Sequence, residues 1–123
     1  MTNVFRDQEK FMRACDQSVD CFNSSQFLLY AKLIKEEWTE LNVAIDNTNQ
    51  IETLDALVDI LVVTIGAIHS MGVDGEGAWK EVMKTNFAKI DSETGKVRKR
   101  EDGKVLKPLG WEPPNLQSYI LQK

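Results

Sequence analysis

Leu54-Asp55-Ala56-Leu57-Val58-Asp59-Ile60-Leu61-Val62-Val63-Thr64-Ile65-Gly66-Ala67-Ile68 decides the fold class. Nearly every residue is apolar, and no two-residue alternation separates one face from another. A helix that is apolar all round is buried all round. A chain of 123 residues is one small domain and can hardly surround such a helix by itself. The stretch therefore predicts a helical bundle whose central helix is covered by further copies of the chain, as a homodimer or homotetramer.

The flanking sequence agrees with an all-α reading. The first glycine is Gly66, and the prolines are Pro108, Pro113 and Pro114, so the first sixty-five residues contain neither helix breaker. The spacing predicts helices over 3–18, 24–46, 50–71 and 74–90. Val4, Phe11, Met12 and Cys15 share a face of the first, and Leu29, Leu33, Ile34, Leu41 and Ala44 follow a helical period in the second. Asn49 is placed to cap the third, with Glu52 as its capping-box partner. Gly72 suits the left-handed residue that ends it, and Asp74 suits the cap of the fourth. From Lys96 to Leu106 the residues alternate around Asp102-Gly103, which predicts a small β-hairpin or an extended loop with a tight turn. The domain reading is a helical core over 1–90 and a basic tail over 91–123, packed on that core or on a neighbouring subunit. The whole is a single domain.

Composition narrows the function classes. Hydrophobic residues make up 42% and charged residues 28%, a globular balance. Fifteen basic residues against nineteen acidic ones leave a net charge of -4, which argues against a nucleic-acid partner. No run of 18 apolar residues occurs, and the N-terminal residues lack the apolar core of a secretory signal, so no membrane is expected. Cys15 and Cys21 form neither a Cys-x-x-Cys motif nor a disulfide framework. They are expected as reduced thiols in a cytoplasm.

The charges are sorted along the chain. From Glu36 to Asp59 there are seven acidic residues and no basic one. Glu37 and Glu40 share a helix face with Glu36 beside them, and Asp55 and Asp59 share a face of the next helix. Antiparallel neighbours joined by a short link would bring the two pairs together. Converging carboxylates repel unless a cation joins them, and hard cations such as Mg²⁺, or Mn²⁺ in its place, take oxygen ligands of this kind. Asp59 is the sharpest candidate, because its neighbours are apolar and an unpaired buried carboxylate is costly. From Lys80 to Lys107, nine lysines and arginines meet five acids, and such a segment suits free phosphate oxygens. His69, the only histidine, excludes a multi-histidine metal site and suits a dipole contact at a helix end. Trp38, Trp79 and Trp111 read as packing residues.

Glu36-Glu37-Trp38-Thr39-Glu40-Leu41 resembles the Glu-Glu-x-x-Glu-Leu signature of the all-α nucleoside triphosphate pyrophosphohydrolases, which include the MazG proteins, the dimeric dUTPases and phosphoribosyl-ATP pyrophosphohydrolase. Their second signature, Glu-x-x-Asp before an apolar run and a Gly-Val-Asp-like turn, is similar to Asp59-Ile60-Leu61-Val62-Val63 and Gly72-Val73-Asp74. The motif glutamate falls on Ala56, a departure, and Asp55 or Glu52 stands in for it. Asn86-Phe87-Ala88-Lys89 looks like the family's Asn-x-x-Lys element. The tail, ending in Gly110-Trp111-x-Pro113-Pro114, resembles a phosphoribosyl-ATP pyrophosphohydrolase-like subgroup. The likeness covers about residues 26–115.

The resemblance implies a four-to-five-helix MazG-like bundle completed by oligomerisation. It implies Mg²⁺-dependent hydrolysis of a nucleoside triphosphate between the α and β phosphates. Glu37, Glu40, Asp59 and Asp55 would be the metal ligands, and Glu36 or Glu37 the base toward water. Lys84, Asn86, Lys89, Lys104 and Lys107 would hold phosphate or base. Hydrolysis of phosphoribosyl-ATP and a non-catalytic helical dimer binding a nucleotide or protein are the alternatives.

Overall fold

The computed structural model describes residues 2–121. Residue 1 and the last two residues of the 91–123 tail lie outside the described residues. Five helices are present among the described residues: α1 (Val4–Ala14), α2 (Ser24–Asp46), α3 (Gln50–Ser70), α4 (Gly75–Phe87) and α5 (Gln117–Leu121). No strand occurs among the described residues, and no single helix there is long and apolar enough to cross a membrane.

Asparagines set the starts of the first three helices. Asn3 Oδ1 accepts from the N–H groups of Phe5 and Arg6, Asn23 Oδ1 from Gln26, and Asn49 Oδ1 from Glu52. The capping box at Asn49 is one-sided, because the Asn49 N–H donates to Ala44 O in the preceding turn rather than to Glu52. The first helix stops at Ala14, short of the expected residue 18. Asp16 is left-handed at φ 59°, and aspartate is among the few residues that tolerate this. Gly72 is left-handed at φ 69° and its N–H donates to His69 O, so it ends α3 as expected.

The chain divides into two compact units, one ending at Gly75 and one formed by Glu76–Leu121. In the first, α2 and α3 form a helical hairpin across the short turn at Asn47–Asn49. Met12, Val19, Tyr30 and Ala67 are its buried centre, with Phe27, Leu33, Ile34 and Val63 against them. Gly66 lies where α3 meets Tyr30, and a Cβ there would run into the Tyr30 ring. Gln26 crosses the core to reach Ser70 Oγ at 2.8 Å and Ser18 O at 2.7 Å. His69 is buried and donates Nε2–H to Phe5 O at 2.8 Å, tying α3 to α1. His69 lies in the last turn of α3, as expected, and this link to a neighbouring helix is additional.

Within the chain α3 is not covered all round. Ala56, Ile65 and Ala67 are buried, while Leu54, Leu57, Val58, Leu61 and Val62 remain exposed. α2 likewise leaves Leu28, Leu29, Trp38 and Val43 exposed.

In the second unit α4 ends at Phe87, not at 90. In a longer helix, the Thr85 carbonyl would accept from the Lys89 N–H. Here it accepts from the Trp111 indole at 2.7 Å, and the Lys89 N–H turns to Asn86 O. Beyond it, single antiparallel bridges, Ile90 with Val97 and Lys99 with Val105, take the place of a full hairpin. Gly103 (φ 90°) closes the turn, with its N–H on Arg100 O. Asn115 N–H donates to Glu81 Oε2, which returns the tail to α4 before the short α5.

Candidate active site

The helical hairpin brings the two carboxylate pairs into one field. Glu37 lies on α2 and its carboxyl is held above the ordinary range. Burial is the largest cause, followed by the close approach of the Glu40 carboxyl and then by the charges of Glu40, Asp59 and Asp55. On α3, Asp59 is raised in the same way, first by burial, then by the charges of Asp55 and Glu40 and a contact with Asp55. Every member of the set Glu37, Glu40, Asp55 and Asp59 is thus close enough to act on another across the two helices. Periodicity causes this: residues three and four apart share a face, and a three-residue turn folds that face onto its counterpart.

One atom stands out. Glu37 Oε2 is buried and has no hydrogen-bond partner among the described residues, a costly state for a carboxylate oxygen. Oxygen donors of like charge, one of them buried and unpartnered, fit a hard divalent cation in their chemistry. Their side chains, as placed, do not gather three His, Cys, Asp or Glu groups into a metal-holding cage among the described residues.

Glu36 and Glu52 stand apart. Neither is among the groups acting on Glu37 or Asp59. Glu52 serves α3 with its backbone N–H, bonded to Asn49 Oδ1 at 3.0 Å. Of the two candidates for the motif glutamate absent at Ala56, Asp55 is the one that acts on Glu37 and Asp59.

The second unit gathers some of the expected phosphate-binding residues and leaves others apart. Lys89 Nζ donates to Asn86 Oδ1 at 3.1 Å and also lies 5.0 Å from the centre of the Trp111 ring. Lys107 Nζ lies 4.9 Å from the same centre. A groove of about 510 Å³ beside them is lined by Lys84, Glu81, Pro108, Trp111, Glu112 and their neighbours. Lys104 is held at the turn through its backbone: its N–H donates to Asp102 Oδ1 at 3.1 Å and its carbonyl accepts from Arg100. Arg100 and the Lys104 N–H hold the Asp102 carboxyl below its ordinary range.

Trp111 is the residue whose role sequence reasoning missed. Its reading as packing covers the indole bond to Thr85 O but not the lysines at its face, and Trp38 and Trp79, read the same way, are exposed in the single chain. The available signal was its place in Gly110-Trp111-Glu112-Pro113-Pro114, a tail otherwise poor in aromatic residues, downstream of the lysines.

The family model for phosphoribosyl-ATP pyrophosphohydrolase matches residues 8–86. This span takes in α2, α3 and all four carboxylates of the set, and nearly the whole of α4. No curated protein matches the chain.

Proposed function

The chain belongs to the phosphoribosyl-ATP pyrophosphohydrolase family, within the MazG-like superfamily, and is a hydrolase of phosphoric anhydride bonds; on that premise we propose that it cleaves a nucleoside or deoxynucleoside triphosphate between the α and β phosphates. Water adds across the P–O–P bond, and a nucleoside monophosphate and pyrophosphate leave. The observation that carries this reading is the mutual action of Glu37, Glu40, Asp55 and Asp59 across α2 and α3, with Glu37 Oε2 buried and unpartnered.

Hydrolases of this family are typically divalent-metal dependent. In this proposal Glu37, Glu40, Asp55 and Asp59 hold Mg²⁺, with Mn²⁺ able to replace it. When bound, such an ion neutralises phosphate oxygens and acidifies water. Glu36 or Glu37 takes the proton of the attacking water. Lys84, Asn86, Lys89, Lys104 and Lys107 bind the phosphate oxygens or the base. The name of the matching family favours a second reading, with phosphoribosyl-ATP as the substrate.

The test is pyrophosphate release from a panel of ribo- and deoxyribonucleoside triphosphates and phosphoribosyl-ATP, with Mg²⁺ and with chelator. Pyrophosphate formed only with the metal is expected. Release of orthophosphate alone, or turnover indifferent to chelator, would overturn the reading. A preference for phosphoribosyl-ATP over all triphosphates would select the second one.

The proposal includes an assembly of like chains that covers the exposed leucines and valines of α3. Light scattering at micromolar concentration is expected to show a dimer or tetramer. A folded monomer there would remove this part.

A further inference from the structure

Asn86, Lys89, Trp111 and Lys107 form one connected group within Glu76–Leu121. Asn86 Oδ1 accepts from Lys89 Nζ, and the ammonium groups of Lys89 and Lys107 both lie about 5 Å from the centre of the Trp111 ring. The indole is itself fixed, because Nε1–H donates to Thr85 O at 2.7 Å. Among the described residues neither lysine is ion-paired with a carboxylate. Lysine side chains are long and flexible, so two ammonium groups drawn from positions eighteen residues apart would ordinarily disperse. The negative face of an indole attracts both without neutralising either.

We infer that Trp111 is a positioning residue, which holds Lys89 and Lys107 as a pre-organised pair of cations for the polyphosphate of the substrate. This rests on the reading of these lysines given under the proposed function. The gain is pre-organisation: side chains already held in place lose less freedom when the ligand arrives. The same contact explains why α4 stops where it does. The indole takes the carbonyl that would have continued the helix, and the released Lys89 turns toward the tail. Trp111 therefore sets the position of Lys89 by two routes, the helix end and the ring face.

The probe is inorganic tripolyphosphate, bound to the full chain without divalent cation and followed by titration calorimetry. Trp111→Leu keeps an apolar side chain and loses both the ring face and the indole N–H. It is expected to weaken binding about tenfold, the cost of ordering two lysine side chains that are no longer held in place beforehand. Trp111→Phe keeps a ring face and should stay within about threefold of the parent. The deciding measurement is the cycle with Lys89→Gln and Lys107→Gln together. In that double-variant background Trp111→Leu should add less than about twofold, because the groups it positions are gone. A merely structural tryptophan would cost the same in both backgrounds, and such additivity overturns the inference, as does a parent that does not bind tripolyphosphate. Pyrophosphate release from nucleotides is followed beside it, where Trp111→Leu should raise KM and leave kcat within about twofold. Coupled binding without turnover of any nucleotide would sink the proposed function and leave this inference standing. Turnover with an additive cycle would do the reverse.

Discussion

The α2–α3 hairpin and the unit Glu76–Leu121 carry opposite charge and hold it by opposite means. In the hairpin, the helical period puts each carboxylate pair on one face and the turn sets the two faces together, and the cost is visible in the raised carboxyls of Glu37 and Asp59. In the second unit, the lysines come from a helix end and an irregular tail, and they are placed by a ring and a turn instead. Its Asp102 carboxyl is instead lowered, by Arg100 and the Lys104 N–H. The difference teaches that repulsion is tolerated where the backbone is stiff enough to enforce it, and that mobile cations need a neutral surface to collect on.

The largest expected effect tests the stiff side. Asp59→Asn, Glu37→Gln and Glu40→Gln are expected to lower pyrophosphate release by roughly a hundredfold or more, since even partners one shell out from a metal cost 10–100-fold. Mn²⁺ binding by calorimetry should fall in parallel, and circular dichroism should show the helices intact. Glu52→Gln should change neither, because its side chain stands outside the acidic set. If Glu52→Gln is inactive while Asp59→Asn works, the two signatures have been placed in the wrong register.

On the mobile side, charge-assisted contacts are worth about 1.5–3 kcal/mol each. Replacing Lys104 and Lys107 together by alanine should therefore weaken triphosphate binding or turnover at least about tenfold. The structure sharpens this into an order. Lys107→Ala alone should cost more than Lys104→Ala alone, because Lys107 is held by Trp111. Equal kinetics for parent and double variant would mark both lysines as solvated surface.

A smaller effect probes the frame beneath the carboxylates. Asn49→Ala removes the cap at the start of α3 and should cost about 1 kcal/mol in urea unfolding. Activity per folded molecule should be unchanged.

The smallest effect is a pH dependence whose sign differs between the regions. Glu37 and Asp59 have raised carboxyls, so the stability they contribute is present below their ordinary values of 4.5 and 3.8 and is lost as pH rises through the raised ones. Asp102 is lowered, so its contribution is present above 3.8 and lost as pH falls. In chelator, Glu37→Gln should raise the melting temperature at neutral pH and flatten its decline from acid to neutral. NMR titration should place Glu37 and Asp59 above their ordinary values and Asp102 below. Glu37 titrating at or below 4.5 would break the contrast.

The helices were legible because their signals are local. The bounds of α2 were read to the residue, from Asn23-Ser24 through Asp46-Asn47, and Gly72 was assigned its left-handed turn. The two carboxylate pairs were legible for the same reason, since a spacing of three or four residues fixes a shared face on any helix. The shortening of α1 at Asp16 and of α4 at Phe87 was not. In the second case an indole twenty-six residues away competes for a backbone carbonyl, and no window around Thr85 contains that information.

By itself, then, the sequence determined the all-α class, the α2–α3 hairpin, its acidic face and the charge sorting along the chain, because period, caps and composition act over a few residues. Tertiary structure alone decided that Asp55 rather than Glu52 joins the acidic set, and that Glu37 Oε2 is buried without a partner. It also decided that His69 ties α3 to α1 and that Lys89 and Lys107 meet at Trp111. The physical reason is common to these cases. Burial, repulsion and cation–π attraction depend on distance in space, and groups far apart along the chain acquire that distance only when it folds.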